Sequence, residues 1–401
     1  MPDVPDHKLE NTTDHQTAPV VIVGTGLAGY GLAREFRKHD AETPLVLITH
    51  DDGRSYSKPM LSTGYTKNTE ASDLAQSDAG SMARTLKASV WTMTQVAAID
   101  TDQQIIKLDD AATSVHYSQL VLTLGAETIK PLIQGNALDA IYSINDLLDF
   151  DNFRKAVKNT GAKKICVIGG GLIGCEYTND LINGGFEVET VDPLDYCLPT
   201  LLPEAAGKAV QRALEEQGAK FHFGPLVTEV NKADSGVVVS LNTGATIEAD
   251  IVVCAVGVRP RTELAKAAGI KVNRGIVTNR LLETSANNVY ALGDCAEVAG
   301  QVLVYVAPLM AGARALGKTL AGEPTEVSYP AMPITIKTPA CPAVVSPVPD
   351  SAEGAWVVQE NGNNVIAEFR GADGGLLGFA LTGEATKERM RLQKALSPVM
   401  A

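Results

Sequence analysis

The sequence has no long apolar run and no excess of positive charge. No stretch approaches the roughly 20 consecutive apolar residues that a membrane-spanning helix needs, so stable membrane insertion is not expected. The 34 Lys and Arg residues are outnumbered by 47 Asp and Glu residues, which gives a formal net charge of −13. Because phosphate contacts need a basic face, this balance argues against nucleic acid as a partner.

Cysteine is also scarce, and its six residues form no CxxC pair or tight cluster. They are Cys166, Cys175, Cys197, Cys254, Cys295 and Cys341. The sequence therefore offers no zinc or iron–sulfur ligand set, and no metal site is predicted. The opening segment, 1–18, is polar and mixed in charge, unlike a signal peptide, and is predicted to be a flexible tail. Scattered cysteines without such a peptide favour reduced thiols and a cytoplasmic location.

A chain of 401 residues is too long for one hydrophobic core and predicts two or three domains. Its first motif is a glycine-rich turn, because the apolar strand 18–23 runs into GxGxxG and then into a helical pattern. This first fingerprint comprises Gly24, Thr25, Gly26, Leu27, Ala28 and Gly29. Its glycines allow a tight turn, close approach of a pyrophosphate and close helix packing, and a helix N-terminus favours phosphate. The segment therefore predicts a dinucleotide site.

A second apolar strand, 44–49, follows the first fingerprint and ends just before an acidic residue. Asp51 is predicted to accept hydrogen bonds from the ribose hydroxyls of the dinucleotide, with His50 as its neighbour. Alternatively, these residues form a solvated turn before Gly53.

The same pattern recurs in the middle of the chain, where the strand 164–168 runs into a second GxGxxG. This second fingerprint comprises Gly169, Gly171, Leu172, Ile173 and Gly174. The next strand, 186–191, ends at Asp192, which would bind a ribose 2′-hydroxyl and repel a 2′-phosphate. No Arg lies in 193–197, so NADH is favoured over NADPH. The sequence thus predicts two dinucleotide sites.

A third segment is a short apolar strand that ends in Gly293-Asp294. With the two fingerprints and the connecting segments 120–126 and 251–262, it resembles the two-dinucleotide flavoprotein disulfide reductase superfamily over about 19–321. The resemblance implies FAD at the first fingerprint, with Asp294 on its ribityl chain, and NADH as co-substrate at the second. Asp294 could also cap the helix that follows.

The order of these motifs implies an α/β fold with two Rossmann-like domains and a small α+β C-terminal domain. The expected FAD domain is discontinuous, 19–127 and 256–322, and the NADH domain, 128–255, is inserted in it. The C-terminal domain, 323–401, is expected to contain short β runs and one helix. The runs are Ser328–Pro333, Ile334–Lys337, Ala343–Ser346, Ala355–Val358, Val365–Arg370 and Leu376–Leu381, and the helix is Glu384–Ala395.

Disulfide chemistry is common in this superfamily, but the chain lacks cysteine at the places that such chemistry needs. There is no cysteine before Cys166, and the segment 54–64 contains none. A thiolate nucleophile is therefore not expected, and the flavin remains as the expected redox group. A flavin takes two electrons from NADH and can pass them on singly, which suits a one-electron carrier protein.

Three strings narrow the resemblance to one family. The segments Arg54–Ser62, Gly174–Leu181 and Ile336–Pro342 look like those of the rubredoxin–NAD(+) reductases, and the likeness spans nearly the whole chain except the tail. The resemblance implies rubredoxin as the electron acceptor, in a system that supplies a membrane alkane hydroxylase.

The resemblance also implies roles for three charged residues. Lys58 would lie near the flavin or its pyrophosphate, Lys337 near the flavin N1–C2=O edge, and Glu176 would pair with Lys58 beside flavin N5. The alternatives are a solvated loop lysine for Lys58 and a helix-dipole contact for Glu176. Further contacts implied by the resemblance are Val96 on adenine, Val306 near the dimethylbenzene end of the flavin, and Gly257 on NADH.

The charge balance raises a difficulty for this acceptor, because rubredoxins are usually acidic and the chain is acidic too. A local basic rim is one solution, with candidates Arg34, Arg37, Lys38, Arg54, Lys58, Lys67 and Lys337. Two other functions stay open: an NADH-dependent reductase of a [2Fe–2S] ferredoxin in an oxygenase system, and a non-enzymatic flavoprotein module that senses NADH. The segment 59–63 departs from the ferredoxin-reductase string Pro-Pro-Leu-Ser-Lys.

Overall fold

A computed structural model describes residues 18–110 and 112–401. The chain forms two compact units, each built from separate segments. Unit 1 contains 1–56, 76–126 and 260–328, of which residues 1–17 and 111 lie outside the described residues, and unit 2 contains 57–75, 127–259 and 329–401. Most of the predicted tail, 1–17, therefore lies outside the described residues, and its last residue, Ala18, is buried.

Unit 1 is built on a parallel five-stranded sheet. Its strands are, in spatial order, Val289–Ala291, Gln119–Leu122, Val20–Val23, Leu45–Ile48 and Ser89–Trp91. The three central strands are almost entirely apolar and buried, as expected for parallel strands covered on both faces. The helices of this unit are Leu27–Arg37, Ala79–Leu86, Glu263–Ala267 and Val306–Leu320. Its smaller sheets use Val96–Asp100, Ile105–Leu108 and Ser114–His116, and Ile276–Thr278 with Ala296–Val298.

The first part of unit 2 repeats this design with a second parallel sheet. Its strands are, in spatial order, Ile141–Tyr142, Ile251–Cys254, Lys164–Ile168, Glu187–Asp192 and Lys220–Phe223. The helices are Ala71–Leu74, Leu147–Thr160, Leu172–Asn183 and Glu204–Glu216, with 3-10 turns at Lys58–Thr63 and Leu138–Ala140. An antiparallel sheet of Val227–Lys232, Val237–Leu241 and Thr246–Ala249 packs beside it. Four further short strands lie where the segments of the two units begin or end along the chain: Ser55–Tyr56, Ala75–Ser77, Ala126–Thr128 and Val258–Pro260.

The C-terminal part of unit 2 is an antiparallel five-stranded sheet. Its strands are, in spatial order, Ile334–Ile336, Ala343–Ser346, Leu376–Thr382, Asn364–Arg370 and Ala355–Asn361. The chain ends in a 3-10 turn, Gly383–Glu388, and the helix Arg389–Lys394. Phe379, on the central strand, is fully buried in a cluster with Val344, Leu381 and Leu392. The cluster joins the final helix to the sheet.

Two sequence-based expectations for this region were wrong. The run Ser328–Pro333 forms no strand; it makes one isolated bridge, between Tyr329 and Met400. Its two prolines lack N–H donors and therefore interrupt any ladder. The expected helix Glu384–Ala395 is α-helical only from Arg389 to Lys394, because its first residues form a 3-10 turn after Gly383.

The predicted fold class is confirmed, since both dinucleotide-type sheets are parallel and the C-terminal sheet is antiparallel. The predicted domain boundaries stay a prediction, and the compact units group residues 57–75 with 127–259. Within the described residues, no helix has both the length and the apolar character needed to cross a bilayer.

Truncation of Phe379 tests the core of the C-terminal sheet. Because its side chain is fully buried, Phe379→Ala should lower the free energy of unfolding by about 3–5 kcal/mol. The change can be followed by urea unfolding in a Trp91→Phe background, where Trp356 on the same sheet is the remaining tryptophan. Val399→Ala, at a residue 47% exposed, is the control and should change little. Equal effects of the two variants would contradict the assigned core.

Candidate functional site

The first fingerprint connects the strand Val20–Val23 of unit 1 to the helix Leu27–Arg37. A Cβ on Gly29 would lie 1.9 Å from the carbonyl oxygen of Gly24, which itself has a φ of +111°. A Cβ on Gly26 would meet nothing within 4 Å. Chain packing and backbone conformation therefore require Gly24 and Gly29, whereas Gly26 keeps open a space that a side chain would fill.

The N-terminus of the helix Leu27–Arg37 faces this open space. No side chain caps the helix at Gly26. The first N–H groups of a helix lack acceptors within the helix, and they lie at the positive end of its dipole. Open space beside uncapped N–H groups suits a pyrophosphate. The residues present therefore fit the dinucleotide that the sequence predicts here.

Asp51 is held against the first fingerprint. Its Oδ1 accepts hydrogen bonds from Thr49 Oγ1 at 2.7 Å, from the Gly53 N–H at 2.9 Å and from Thr25 Oγ1 at 3.4 Å. Thr25 is a buried residue of the fingerprint itself, while the neighbouring His50 is exposed. The structure thus places Asp51, the residue predicted to bind the ribose, next to the glycine-rich turn predicted to bind the pyrophosphate.

The other FAD contacts predicted in unit 1 lie on separate segments. Gly293 has a φ of +84°, and a Cβ there would lie 2.9 Å from the Cβ of Ala28, so Asp294 follows a turn packed on the fingerprint helix. Val96 is buried at the start of a strand, and Val306 is the partly exposed first residue of the helix Val306–Leu320. The structure therefore brings Asp294 and Asp51 to the fingerprint, and their contact with a cofactor stays a prediction.

The second fingerprint, in unit 2, has the same geometry as the first. Gly169 has a φ of +109°, and a Cβ on Gly174 would lie 1.8 Å from the Gly169 carbonyl oxygen. A Cβ on Gly171 would meet nothing within 4 Å, and no side chain caps the helix there. Leu172 and Ile173 form the half-buried first turn of that helix. This turn also fits a dinucleotide pyrophosphate.

Asp192 is fixed beside the second fingerprint by two backbone donors. Its Oδ2 accepts from the Gly170 N–H at 2.6 Å, and its Oδ1 accepts from the Leu194 N–H at 2.8 Å. Gly257 has a φ of +113°, and its carbonyl accepts from the Ile129 N–H at 3.0 Å. The carboxylate therefore lies at the strand end where a ribose hydroxyl is expected.

A buried charge cluster surrounds Glu176, one turn into the second-fingerprint helix. Glu176 is only 2% exposed. Its Oε2 forms an ion pair with Lys337 Nζ and accepts from Ser62 Oγ at 2.6 Å, and its Oε1 accepts from the Lys337 N–H at 2.9 Å. Burial makes an unpaired carboxylate costly, and these donors offset that cost. Ser62 was not predicted from the sequence.

Lys58 has a neutral partner that the sequence gave no reason to expect. Its Nζ donates to Asn145 Oδ1 at 2.8 Å. The partners of Glu176 described above are Lys337 and Ser62, so its predicted pairing with Lys58 stays a prediction. Asn145 lies 87 positions from Lys58, and no local pattern links two residues at that separation.

Asp180 is a second buried acid on the same helix and was also missed. Its Oδ1 accepts from the Thr66 N–H at 2.7 Å and its Oδ2 from the Tyr65 N–H at 3.0 Å. Burial raises the pKa of the Asp180 carboxyl, and these hydrogen bonds act against the increase. Helical spacing could have predicted this residue, because Asp180 lies four positions after Glu176 and therefore on the same face of the helix.

The cysteines form no redox centre in the structure. All six lie in the described part of the chain, and all are unpaired and buried. Burial raises the pKa of the Cys295 thiol to about 11 and that of Cys166 to about 12. Such thiols stay protonated at neutral pH and are poor nucleophiles. Among the described residues, no group of three His, Cys, Asp or Glu side chains is placed to hold a metal ion.

Two family models account for nearly the whole chain. The model of the pyridine nucleotide-disulphide oxidoreductases matches residues 18–312. The chain belongs to the pyridine nucleotide-disulphide oxidoreductase family. A second model, described as the rubredoxin binding C-terminal domain, matches residues 326–396, which contain the antiparallel sheet.

Relatives within this oxidoreductase family match over nearly full length. The chain is 55% identical over 384 residues to the rubredoxin-NAD(+) reductase of Alcanivorax borkumensis. The aligned region covers 95% of this chain and 99% of that protein. It is 42% identical to the rubredoxin-NAD(+) reductase of Acinetobacter baylyi, over 94% of this chain and 97% of that protein. The resemblance drawn from the sequence is thereby confirmed.

Solved structures of two reductases share the fold of the chain. The NADH:rubredoxin oxidoreductase of Clostridium acetobutylicum gives a TM-score of 0.77 at 21% identity, covering 94% of each chain. The ferredoxin reductase for the CYP199A2 system of Rhodopseudomonas palustris gives 0.84 at 23% identity, covering 94% of this chain and 95% of that one. At these identities the likeness concerns the fold alone.

Paired glycine substitutions separate packing from ligand binding in this oxidoreductase. Gly29→Ala places a Cβ within 1.9 Å of a backbone oxygen, so it should lower the melting temperature of the apoprotein. The Cβ of Gly26→Ala would meet no packed group within 4 Å, so the apoprotein of this variant should keep its stability. The purified variant should contain less bound flavin, since the new methyl fills the cofactor space. Thermal unfolding and flavin absorbance per chain measure the two effects. Full flavin content in Gly26→Ala would contradict this assignment.

Proposed function

We propose that this chain is an NADH-dependent FAD reductase that passes electrons to rubredoxin. The observation that carries the proposal is the combination of two open dinucleotide turns, at Gly26 and Gly171, with a C-terminal region that matches a rubredoxin-binding domain. The two full-length relatives described above carry the matching enzyme name.

FAD is assigned to unit 1. Gly24, Gly26 and Gly29 shape the turn for its pyrophosphate, and the uncapped helix N-terminus supplies N–H donors. Asp51, already bonded to Thr25, is positioned to receive the ribose hydroxyls. The further contacts proposed on the basis of the family resemblance are His50, Val96, Asp294 and Val306.

NADH is assigned to the second fingerprint of unit 2. Asp192 is held by the Gly170 and Leu194 N–H groups, so its charge faces the expected ribose in a fixed orientation. A fixed carboxylate accepts a 2′-hydroxyl and repels a 2′-phosphate, which supports NADH over NADPH. Gly257 is proposed to give backbone room for the same ligand.

Lys58, Lys337 and Glu176 are proposed to act at the flavin ring. A bound flavin would accept a hydride from NADH and release the electrons one at a time. Lys337 can then offset negative charge on the reduced ring, and Glu176 holds its ammonium in one place. Ser62 orients Glu176 through a buried hydrogen bond. No general base is required for hydride transfer, so positioning carries the catalysis.

The acceptor is proposed to be rubredoxin rather than a [2Fe–2S] ferredoxin. The match of residues 326–396 to a rubredoxin-binding domain favours it, whereas ferredoxin reductases resemble the chain only in fold. We further propose that the rubredoxin serves alkane hydroxylation and that the protein works in the cytoplasm. The six unpaired thiols are consistent with a reducing compartment.

A direct test of this function compares acceptors on the purified flavin-loaded protein. NADH should drive fast reduction of rubredoxin and much slower reduction of a [2Fe–2S] ferredoxin. The assay follows NADH oxidation and carrier bleaching, with ferricyanide as an acceptor that needs no docking. A preference for ferredoxin would overturn the choice of acceptor. Flavin bleaching without transfer to either carrier would favour an NADH-sensing module.

Substitution of Asp192 tests the nucleotide assignment. Asp192→Ala removes a charged hydrogen-bond acceptor, so the KM for NADH should rise roughly tenfold or more while that for NADPH changes less. Asp195→Ala removes an exposed carboxylate three positions away and serves as the control. Initial rates with ferricyanide give both constants. An unchanged ratio of NADH to NADPH specificity would refute the assigned role.

A further inference from the structure

The predicted basic docking rim is mostly engaged within the protein. Six of its seven cations have partners in the same chain, and only Lys67 is not among them: Arg34 with Ser55, Arg37 with Leu86, Lys38 with Glu35, Arg54 with Asp52, Lys58 with Asn145 and Lys337 with Glu176. An ion pair with a carboxylate, as for Lys38, Arg54 and Lys337, reduces the net charge that a cation offers to an acidic partner, whereas a hydrogen bond to a neutral atom does not. A second surface with local positive charge would add to the attraction of an acidic carrier.

The 3-10 turn Gly383–Glu388 and the final helix Arg389–Lys394 together offer such a surface. Lys387 of the turn and Met390, Arg391 and Lys394 of the helix are all exposed, and each lies three or four positions from another of the four, so they share one face. We call these four residues the 387–394 face. Leu392 is 1% exposed and fixes the opposite side of the helix in the core. The face is therefore presented by a packed element.

The composition of the 387–394 face is typical of a protein interface. Met390 is 63% exposed, and three cations surround it. Exposed methionine together with arginine is enriched where proteins bind one another. Lys387 pairs with Glu384, and Arg391 pairs with Glu388 and with Glu368 of the strand Asn364–Arg370. The segment 384–394 nevertheless holds four cations against two acids in a chain of net charge −13. Its local charge thus opposes that of the whole molecule.

The 387–394 face also lies close to the proposed redox residues. Arg389, the first residue of the helix, donates from Nη1 to Thr335 Oγ1 at 3.1 Å. Thr335 precedes Lys337 by two residues, which is about 7 Å along a strand. A carrier on this face would therefore approach the strand that leads to the residue proposed at the flavin.

We propose that rubredoxin docks on the 387–394 face, with Met390 at the centre of the contact and Lys387 and Lys394 at its rim. The proposal rests on the function proposed above and names the surface that serves it. The face lies within the region that matches a rubredoxin-binding domain. The iron of a rubredoxin is held by cysteine thiolates, which leave net negative charge at the site that must approach. A cationic face with an apolar centre complements that charge.

Two variants of the flavin-loaded protein test the face. Met390→Asp removes the apolar centre, and Lys394→Glu reverses a rim charge. Each should raise the Kd for zinc-substituted rubredoxin, which is redox-inert, by about fivefold or more, as at a residue that contributes to binding. The KM for iron rubredoxin should rise in parallel, and the rate with ferricyanide should stay unchanged. For Lys394→Glu, the salt dependence of rubredoxin binding should also become weaker.

Matched controls are available elsewhere on the chain. Val357→Asp places the same charge on an apolar side chain that is 50% exposed, at the opposite edge strand of the same sheet. Lys158→Glu repeats the change in net charge at an exposed position of another helix. Both controls should leave the Kd for zinc rubredoxin within about twofold of the wild-type value.

The outcomes separate this proposal from the proposed function. An unchanged Kd in Met390→Asp and Lys394→Glu would overturn the docking face, as would equal losses in the controls or wild-type protein that does not bind zinc rubredoxin. Wild-type protein that binds zinc rubredoxin through this face but does not reduce iron rubredoxin would overturn the function and support the docking face. Melting temperatures of the variants exclude loss of fold as the cause of weaker binding.

Discussion

Unit 2 depends on two buried acids on one helix, each of which needs hydrogen-bond or ion-pair partners from other segments. Glu176 and Asp180 are each 2% exposed, and a carboxylate so placed is tolerated only when donors surround it. Glu176 collects the Ser62 hydroxyl and both the ammonium and backbone N–H of Lys337. Asp180 collects two backbone N–H groups of the segment 57–75. The need to satisfy these charges fixes that segment and the C-terminal strand onto the helix.

The same helix therefore performs two tasks at different turns. Its uncapped N-terminus, beyond Gly171, suits dinucleotide phosphates, while its second turn carries Glu176, one of the three residues proposed to act at the flavin. A rigid helix keeps a fixed distance between the two sets of groups. This arrangement places Glu176, which holds the Lys337 ammonium, on the element that would bind NADH.

The charged residues are distributed so that one surface can attract an acidic carrier although the whole chain is acidic. A net charge of −13 favours solubility but opposes an acidic carrier, and most cations of unit 1 considered above are bound to neighbouring groups. The end of the chain adds a local excess of cations, because the final helix packs through an apolar side and the segment 384–394 carries four cations against two acids. Specific attraction then requires only one surface, and long-range repulsion from the rest is reduced by salt.

Local chemistry made the dinucleotide sites predictable. Gly29 lies against the Gly24 carbonyl, five positions away, and Gly26 leaves space open at the start of the same helix, so the short GxGxxG pattern itself carries the signal. The absence of cysteine from 1–165 argued against a thiol centre there without reference to the fold. The order of motifs also predicted the parallel sheets, whereas prolines broke the expected strand Ser328–Pro333. Packing alone decided that Glu176 meets Lys337, 161 positions away, and that Asn145 receives Lys58. Such pairings carry no local pattern, since they form only when distant segments are brought together around a shared buried charge.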